Sequence, residues 1–106
     1  MDCIFCKIAN GEIVSDTVFE DKDFRVILDL SPASKGHMLI LPKVHARDIT
    51  ELSEDIAGRA IVLAGKLGKA AMVGLGATGF NTLANTGESA GQTVFHCHIH
   101  VIPRYD

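Results

Sequence analysis

The stretch Phe95-His96-Cys97-His98-Ile99-His100-Val101 alternates between apolar side chains and imidazoles. A period of two belongs to a half-buried strand, so His96, His98 and His100 are predicted on one face and Phe95, Cys97, Ile99 and Val101 on the other. A chain carrying this stretch has to build a sheet around it. The polar face is unusual, because same-face neighbours stand about 6.5 to 7 Å apart and solvated positions of that kind usually take Thr, Lys or Glu. Imidazoles there point instead to metal binding or to proton and phosphoryl chemistry.

The chain has 106 residues, 47% of them apolar, which suits one modest core and a single domain over 1–106. With 10 basic and 13 acidic side chains the formal net charge is -3, and no Lys/Arg cluster interleaved with aromatics suggests a nucleic-acid partner. The longest apolar runs, such as His37 to Pro42 and Ala60 to Gly65, are far shorter than a bilayer span. The opening Met-Asp-Cys-Ile-Phe-Cys-Lys has no basic region of a secretion signal. The expectation is a cytoplasmic protein without a membrane partner. Three cysteines in such a chain argue against a disulfide framework.

Residues 3–9 place Ile4, Phe5 and Ile8 on one helical face and stop at Asn10-Gly11. Two β-rich runs, "DTVFED" and "FRVILDL", flank the Asp21-Lys22-Asp23 turn, and "HMLILP" follows as a third, giving an antiparallel meander. From about Ser53 to Leu75, Ile56, Ala60, Leu63, Leu67 and Ala70 recur at helical spacing, with Glu54 and Asp55 where the helix dipole favours anions. Gly58, Gly65 and Gly68 weaken that helix unless close packing compensates. "GFNTLANT" and "TVFHCHIHVIP" complete about five strands, joined by the loop "GESAGQ". The predicted class is α+β, one long and one short helix on one face of an antiparallel sheet.

Within "NTGESAGQTVFHCHIH", Gly87 and Gly91 let backbone approach a ligand, while Gln92 and Thr93 offer donors beside the imidazoles. Amides and imidazoles together suit a phosphate. The Cys3-x2-Cys6 pair reads as half of a zinc site, as two core thiols or as a redox pair. A redox pair of thioredoxin type should follow a strand in a βαβ unit, which is missing. His37 and His45, taken singly, read as structural histidines; Asp29 before Leu-Ser-Pro reads as a turn cap; and Ile4, Phe5, Ile8, Ile27 and Leu30 read as core. Three alternate histidines of one flat strand splay too far to converge on one ion without a bulge.

The run "HCHIHVI" fits His-φ-His-φ-His-φ-φ, with φ hydrophobic, and so resembles the histidine triad family. The resemblance extends through "ANTGESAGQTVFHCHIHVIPR", "CIFCKIANGEIVSDTVFEDKDF" and "ILDLSPASKGHMLILPKVH", essentially the whole chain, and is strongest to the Hint branch of purine nucleoside phosphoramidases. It implies a hydrolase in which His98 attacks the α-phosphorus of a purine nucleoside 5'-phosphoramidate and forms a nucleotidyl-histidine that water then cleaves. It further implies that His96 and His100 complete the catalytic triad, with His100 bonding the phosphoryl oxygens and Asn85, Gly91, Gln92 and Thr93 completing the cradle. Asp29 matches the ribose position; Ile4, Phe5, Ile8, Ile27 and Leu30 match the base pocket; and His37 stands behind the site. Cys3, Cys6, His45 and His96 match a structural zinc site, no catalytic metal is required, and a homodimer through residues 79–85 and the main helix is implied. Val14 replaces a common Pro, and Pro103-Arg104 replaces a glycine pair of the animal Hint proteins, so substrate preference is open. A dinucleoside polyphosphate hydrolase and a nucleotide- or protein-binding module with vestigial catalysis remain alternatives.

Overall fold

A computed structural model describes residues 3–106; Met1 and Asp2, which open the segment read for a secretion signal, lie outside the described residues. The first helix, α1 (Ile4–Ala9), starts at Cys3, whose sulfur accepts the Cys6 N–H in the place of the usual oxygen cap. It ends where Gly11 adopts φ 81°, a left-handed conformation that a side chain would oppose. Strands β1 (Thr17–Glu20) and β2 (Phe24–Leu28) follow. Their turn is held by Asp21 Oδ1, which accepts the N–H groups of Asp23 and Phe24 at 2.9 and 2.8 Å.

Strand β3 (Met38–Pro42) pairs along its length with β2, from Leu28↔Met38 to Phe24↔Pro42. The long helix α2 (Glu54–Leu75) matches the predicted span, with Ser53 Oγ accepting the Ile56 N–H at its start and Gly76 at φ 75° closing its end. Strand β4 (Gly79–Leu83) stops before the predicted Ala-Asn-Thr, and β5 (Ile99–Arg104) closes the element order. The sheet runs β1-β2-β3-β5-β4, antiparallel throughout, so β5 lies between β3 and β4 and the meander continues only through β3.

Two further features differ from the sequence reading. The predicted histidine strand begins only at Ile99, leaving His96 and His98 in irregular chain ahead of β5. Pairing with β3 stops at Ile40↔Ile99, and β3 itself ends at Pro42, which has no N–H for a ladder. The helices, predicted on one face, lie on opposite faces. Alternation in the strands sends Phe24, Val26, Met38, Ile40, Ile99 and Val101 toward Ala60, Ala64, Leu67 and Ala71 of α2. Ile27, Leu39 and Leu41 point the other way and are covered by Ala9, Phe5 and Ile8 of α1. The signal was there to read: Met38 to Pro42 is an unbroken apolar run, and every residue of it is buried.

The face of α2 toward the sheet carries Ala60, Ala64, Gly68 and Ala71 beside Leu67, and the small residues let the helix come close. At Gly68 the approach is complete, since a Cβ there would stand 2.3 Å from Phe80 Cζ, whereas one at Gly58 would meet nothing within 4 Å. Gly68→Ala is therefore expected to destabilise the fold by about 1–3 kcal/mol through overpacking, while Gly58→Ala stabilises it by up to about 1 kcal/mol. Urea unfolding midpoints of the two variants check this; shifts of the same sign would show that α2 does not seat against Phe80.

Candidate active site and metal centre

The unpaired segment ahead of β5 brings His96 under α1. His96 is fully buried, and its Nε2 lies 2.8 Å from the Pro42 carbonyl oxygen. A carbonyl only accepts, so Nε2 carries the proton and the lone pair of the neutral ring is on Nδ1. That Nδ1 faces Cys3 Sγ at 3.4 Å, Cys6 Sγ at 3.3 Å and His45 Nδ1 at 3.2 Å, and Cys6 Sγ to His45 Nδ1 is 3.3 Å. Tetrahedral zinc with these ligand types separates neighbouring donors by roughly 3.3 to 3.7 Å, from its usual bond lengths. The four donor atoms, all within 4.8 Å of one another, match that set in kind and in spacing. Burial, then the hydrogen bond and charge of Cys3, push the Cys6 thiol up to about 11, and burial lowers His96. Two sulfurs, the Nδ1 lone pair of His96 and a second imidazole nitrogen, that of His45, converge from four residues, and such a mixed sulfur–nitrogen set fits a metal of the zinc type.

His98 is oriented by the same logic. Its Nδ1 lies 2.7 Å from the carbonyl oxygen of His96, so the proton is on Nδ1 and Nε2 keeps its lone pair. The Phe5 ring of α1 stands edge-on to it, with centroids 4.9 Å apart. One backbone carbonyl thus leaves a free imidazole nitrogen able to act as a nucleophile.

His100 lies within β5, opposite Leu39, and therefore on the α1 face. Its Nδ1 is 2.9 Å from His37 Nε2, and the rings of His98 and His100 have centroids 5.2 Å apart. His37, 5% exposed, accepts the Ala33 N–H on Nδ1 at 3.0 Å, and its Nε2 also lies 3.4 Å from Asp29 Oδ2. The other carboxylate oxygen of Asp29 accepts the Ser31 N–H at 2.9 Å. Asp29, His37 and His100 are spaced as a metal trio would be. A backbone N–H can only donate, however, so neutral His37 carries its proton on Nε2 and has no lone pair there for an ion. The trio is a hydrogen-bond relay. Burial lowers both His37 and His100, which keeps the relay neutral.

Of the other residues singled out from the sequence, Gln92 departs from its expected place. Both N–H groups of its amide are spent on the Arg47 and Val94 carbonyls at 2.7 and 3.1 Å, and its oxygen accepts the Gly87 N–H at 2.9 Å. It is 3% exposed and ties the glycine loop to the Arg47 segment, so it has no donor left for a phosphate. Asn85 reaches the Gly91 carbonyl at 3.4 Å, Gly91 sits at φ 97°, and Thr93 is exposed. Ile27 is core, Phe5 and Ile8 are half-buried on α1, and Ile4 and Leu30 are 54% and 93% exposed, at the surface. The backbone groups of Pro42 and Ala33 were invisible in the sequence because main chain carries no residue signature. His96, His98 and His100 do not converge on one ion, since their nitrogens have three separate sets of partners.

Because burial lowers His37 and His100, the unfolded chain binds more protons than the folded one below the ordinary histidine range. Their contribution to stability is thus complete above about pH 6.5 and is lost as pH falls below it. The urea midpoint of metal-free protein should be higher at about pH 7.5 than at about pH 5.5, with the difference reduced in His37→Gln; an undiminished difference in that variant would place the acid sensitivity elsewhere.

A family model described as the HIT domain matches residues 10–106. The "Protein hit" of Bacillus subtilis is 43% identical over 104 residues, spanning 98% of this chain and 72% of its own length. The adenosine 5'-monophosphoramidase hnt1 of Schizosaccharomyces pombe is 40% identical over 104 residues, with 98% and 75% covered. A zinc-bound histidine triad family protein from Mycobacterium smegmatis superposes with a TM-score of 0.95 at 38% identity, covering all of this chain and 77% of that one.

Proposed function

The chain belongs to the histidine triad family, and from that premise we propose that it is a nucleotide hydrolase acting at the α-phosphorus of a purine nucleoside 5'-phosphoramidate. The observation that carries this reading is the 2.7 Å bond from His98 Nδ1 to the His96 carbonyl, which leaves Nε2 as a free nucleophile. In the first step the Nε2 lone pair forms a bond to phosphorus and the phosphorus–nitrogen bond breaks. The leaving nitrogen departs with the electron pair and takes a proton from water. In the second step water adds to phosphorus and gives up a proton to the hydroxide left by the first, the phosphorus–imidazole bond breaks with its electron pair returning to Nε2, and the nucleoside monophosphate is released. Splitting one displacement into two easier ones is the advantage of a covalent nucleophile. His100 supplies a donor for charge developing on the phosphoryl oxygens. Thr93, Asn85 and the backbone about Gly91 are the remaining candidates for the cradle, and Asp29 accepts the ribose hydroxyls. Ile4, Phe5, Ile8 and Leu30 line the base side, with Ile27 beneath them.

Cys3, Cys6, His45 and His96 would hold a zinc ion, which would supply structural cross-linking rather than chemistry at the phosphorus. His96 keeps its lone pair for that purpose, and the positions of His98 and α1 follow from it. A homodimer is the accompanying assembly. Its support is the edge of β4, unpaired among the described residues, where Leu83 at 45% exposure lines one hollow with Ile61 of α2 at 55% and Ile49 at 50%.

Brief mixing with adenosine 5'-phosphoramidate should give a mass increase of one AMP on the wild-type chain and none on His98→Ala, whose turnover should fall at least about a thousandfold. An adduct that persists without His98 would sink the reading. Metal analysis should find one zinc per chain, lost in Cys6→Ser together with a lower thermal midpoint; full zinc content in that variant would show that the ion is held elsewhere.

A further inference from the structure

We infer that His37 is a positioning residue that fixes His100 as an Nε2–H donor and couples the strength of that donor to hydroxyls bound at Asp29. This rests on the nucleotidyl-histidine reading above.

The starting point is the Ala33 amide. Because it can only donate, its 3.0 Å bond to His37 Nδ1 puts the proton of neutral His37 on Nε2. That proton has two acceptors within reach, His100 Nδ1 at 2.9 Å and Asp29 Oδ2 at 3.4 Å. When it goes to His100, the proton of the His100 ring must sit on the opposite nitrogen, Nε2, away from His37. The ring is then a donor on its free side and nothing else. Shuttling a proton onward would leave His37 as an imidazolate, since Ala33 has none to give, so the relay orients and polarises rather than transferring a proton. The charged and titratable groups acting on the pair are Asp29, His98 and Arg104.

The two acceptors compete. A free Asp29 carboxylate draws the His37 N–H toward itself and weakens its bond to His100. Serial hydrogen bonds polarise one another, so a weaker bond at His100 Nδ1 makes His100 Nε2–H a weaker donor. Oδ1 of Asp29 already accepts the Ser31 N–H at 2.9 Å, whereas Oδ2 has only the longer 3.4 Å approach of His37, so Oδ2 keeps the greater acceptor capacity for a ligand. Hydroxyls donating to it satisfy the carboxylate and return the His37 proton to His100. A ligand bearing a vicinal diol thereby strengthens the donor at the reacting phosphoryl group, in addition to being held. His37 is 5% exposed, so solvent does not substitute for any of these partners.

The geometry of His37 sets the test. Gln in its place keeps an N–H near the Nε2 position, and Leu keeps apolar volume but no donor. In protein labelled with 15N-histidine, His100 should be an Nε2–H tautomer in wild type and His37→Gln, and should lose that preference in His37→Leu. With adenosine 5'-phosphoramidate, kcat should fall about tenfold in His37→Leu and recover in His37→Gln, with KM changed less than about twofold in either. In wild type, the 2'-deoxy substrate should lose kcat as well as affinity; in His37→Leu the kcat ratio of the two substrates should approach one while the KM ratio persists. An Nδ1–H tautomer of wild-type His100, or no tautomer change in His37→Leu, overturns the positioning claim. A kcat ratio unaffected by His37→Leu overturns the coupling to Asp29. Wild-type protein that turns over neither substrate overturns the functional reading and the coupling with it, while the tautomer measurement still decides whether His37 positions His100.

Discussion

The bond from His96 Nε2 to the Pro42 carbonyl is the contact on which the rest of the site depends. It ties the end of β3 to the segment ahead of β5 and decides which ring nitrogen of a fully buried histidine is free. The free nitrogen faces the two thiols at the start of α1, so the six-residue helix, too short to be stable alone, is anchored to the sheet by metal-type donors as well as by Phe5 and Ile8. The same residue then offers its own carbonyl to His98. One side chain therefore connects the position of α1, the donor set and the orientation of the candidate nucleophile.

Main-chain groups make the decisive assignments throughout. Carbonyls of Pro42 and His96 place protons on His96 Nε2 and His98 Nδ1, and the amide of Ala33 places one on His37 Nε2. Four neighbouring imidazoles could exchange tautomers freely in water, and each would then present a lone pair only part of the time. Fixed backbone dipoles remove that freedom, which is preorganisation of the kind that favours charge development at a reacting centre. Burial of His37, His96 and His100 adds to it, because desolvation lowers all three and keeps them neutral.

Much of this was legible in the chain because the signals were local. Ser53 followed by Glu54, Asp55 and a helical repeat marked α2 to within a residue, and Asp21-Lys22-Asp23 marked the first turn. Cys3, Cys6, His45 and His96 were grouped by resemblance to the family pattern, and the structure brings their donor atoms together. What sequence did not yield were relations set by tertiary packing. The position of α1 on the opposite face was hidden in the unbroken apolar run of β3, which fits a strand buried on both sides as well as one buried on one. Gln92 has the side chain of a phosphate donor, but main-chain groups of Arg47, Val94 and Gly87 take up its amide first.

The shortfall in β5 is the more instructive difference. Had the strand run from Phe95 as its alternation predicted, the His96 carbonyl would have been a ladder acceptor and His98 would have been packed between neighbours on a flat face. The ladder stops instead at Ile40↔Ile99, and Pro42 has no N–H with which to extend it. Cys97 N–H is taken by the Ala46 carbonyl at 2.6 Å, off the sheet, and its side chain remains buried. The carbonyls of Pro42 and His96 are thereby released to imidazoles. The alternating pattern still does its work, because it keeps the histidines on the α1 side while Ile99 and Val101 enter the α2 core. A pattern that reads as a strand is used for half its length as one, and the other half acquires its chemistry by leaving the sheet.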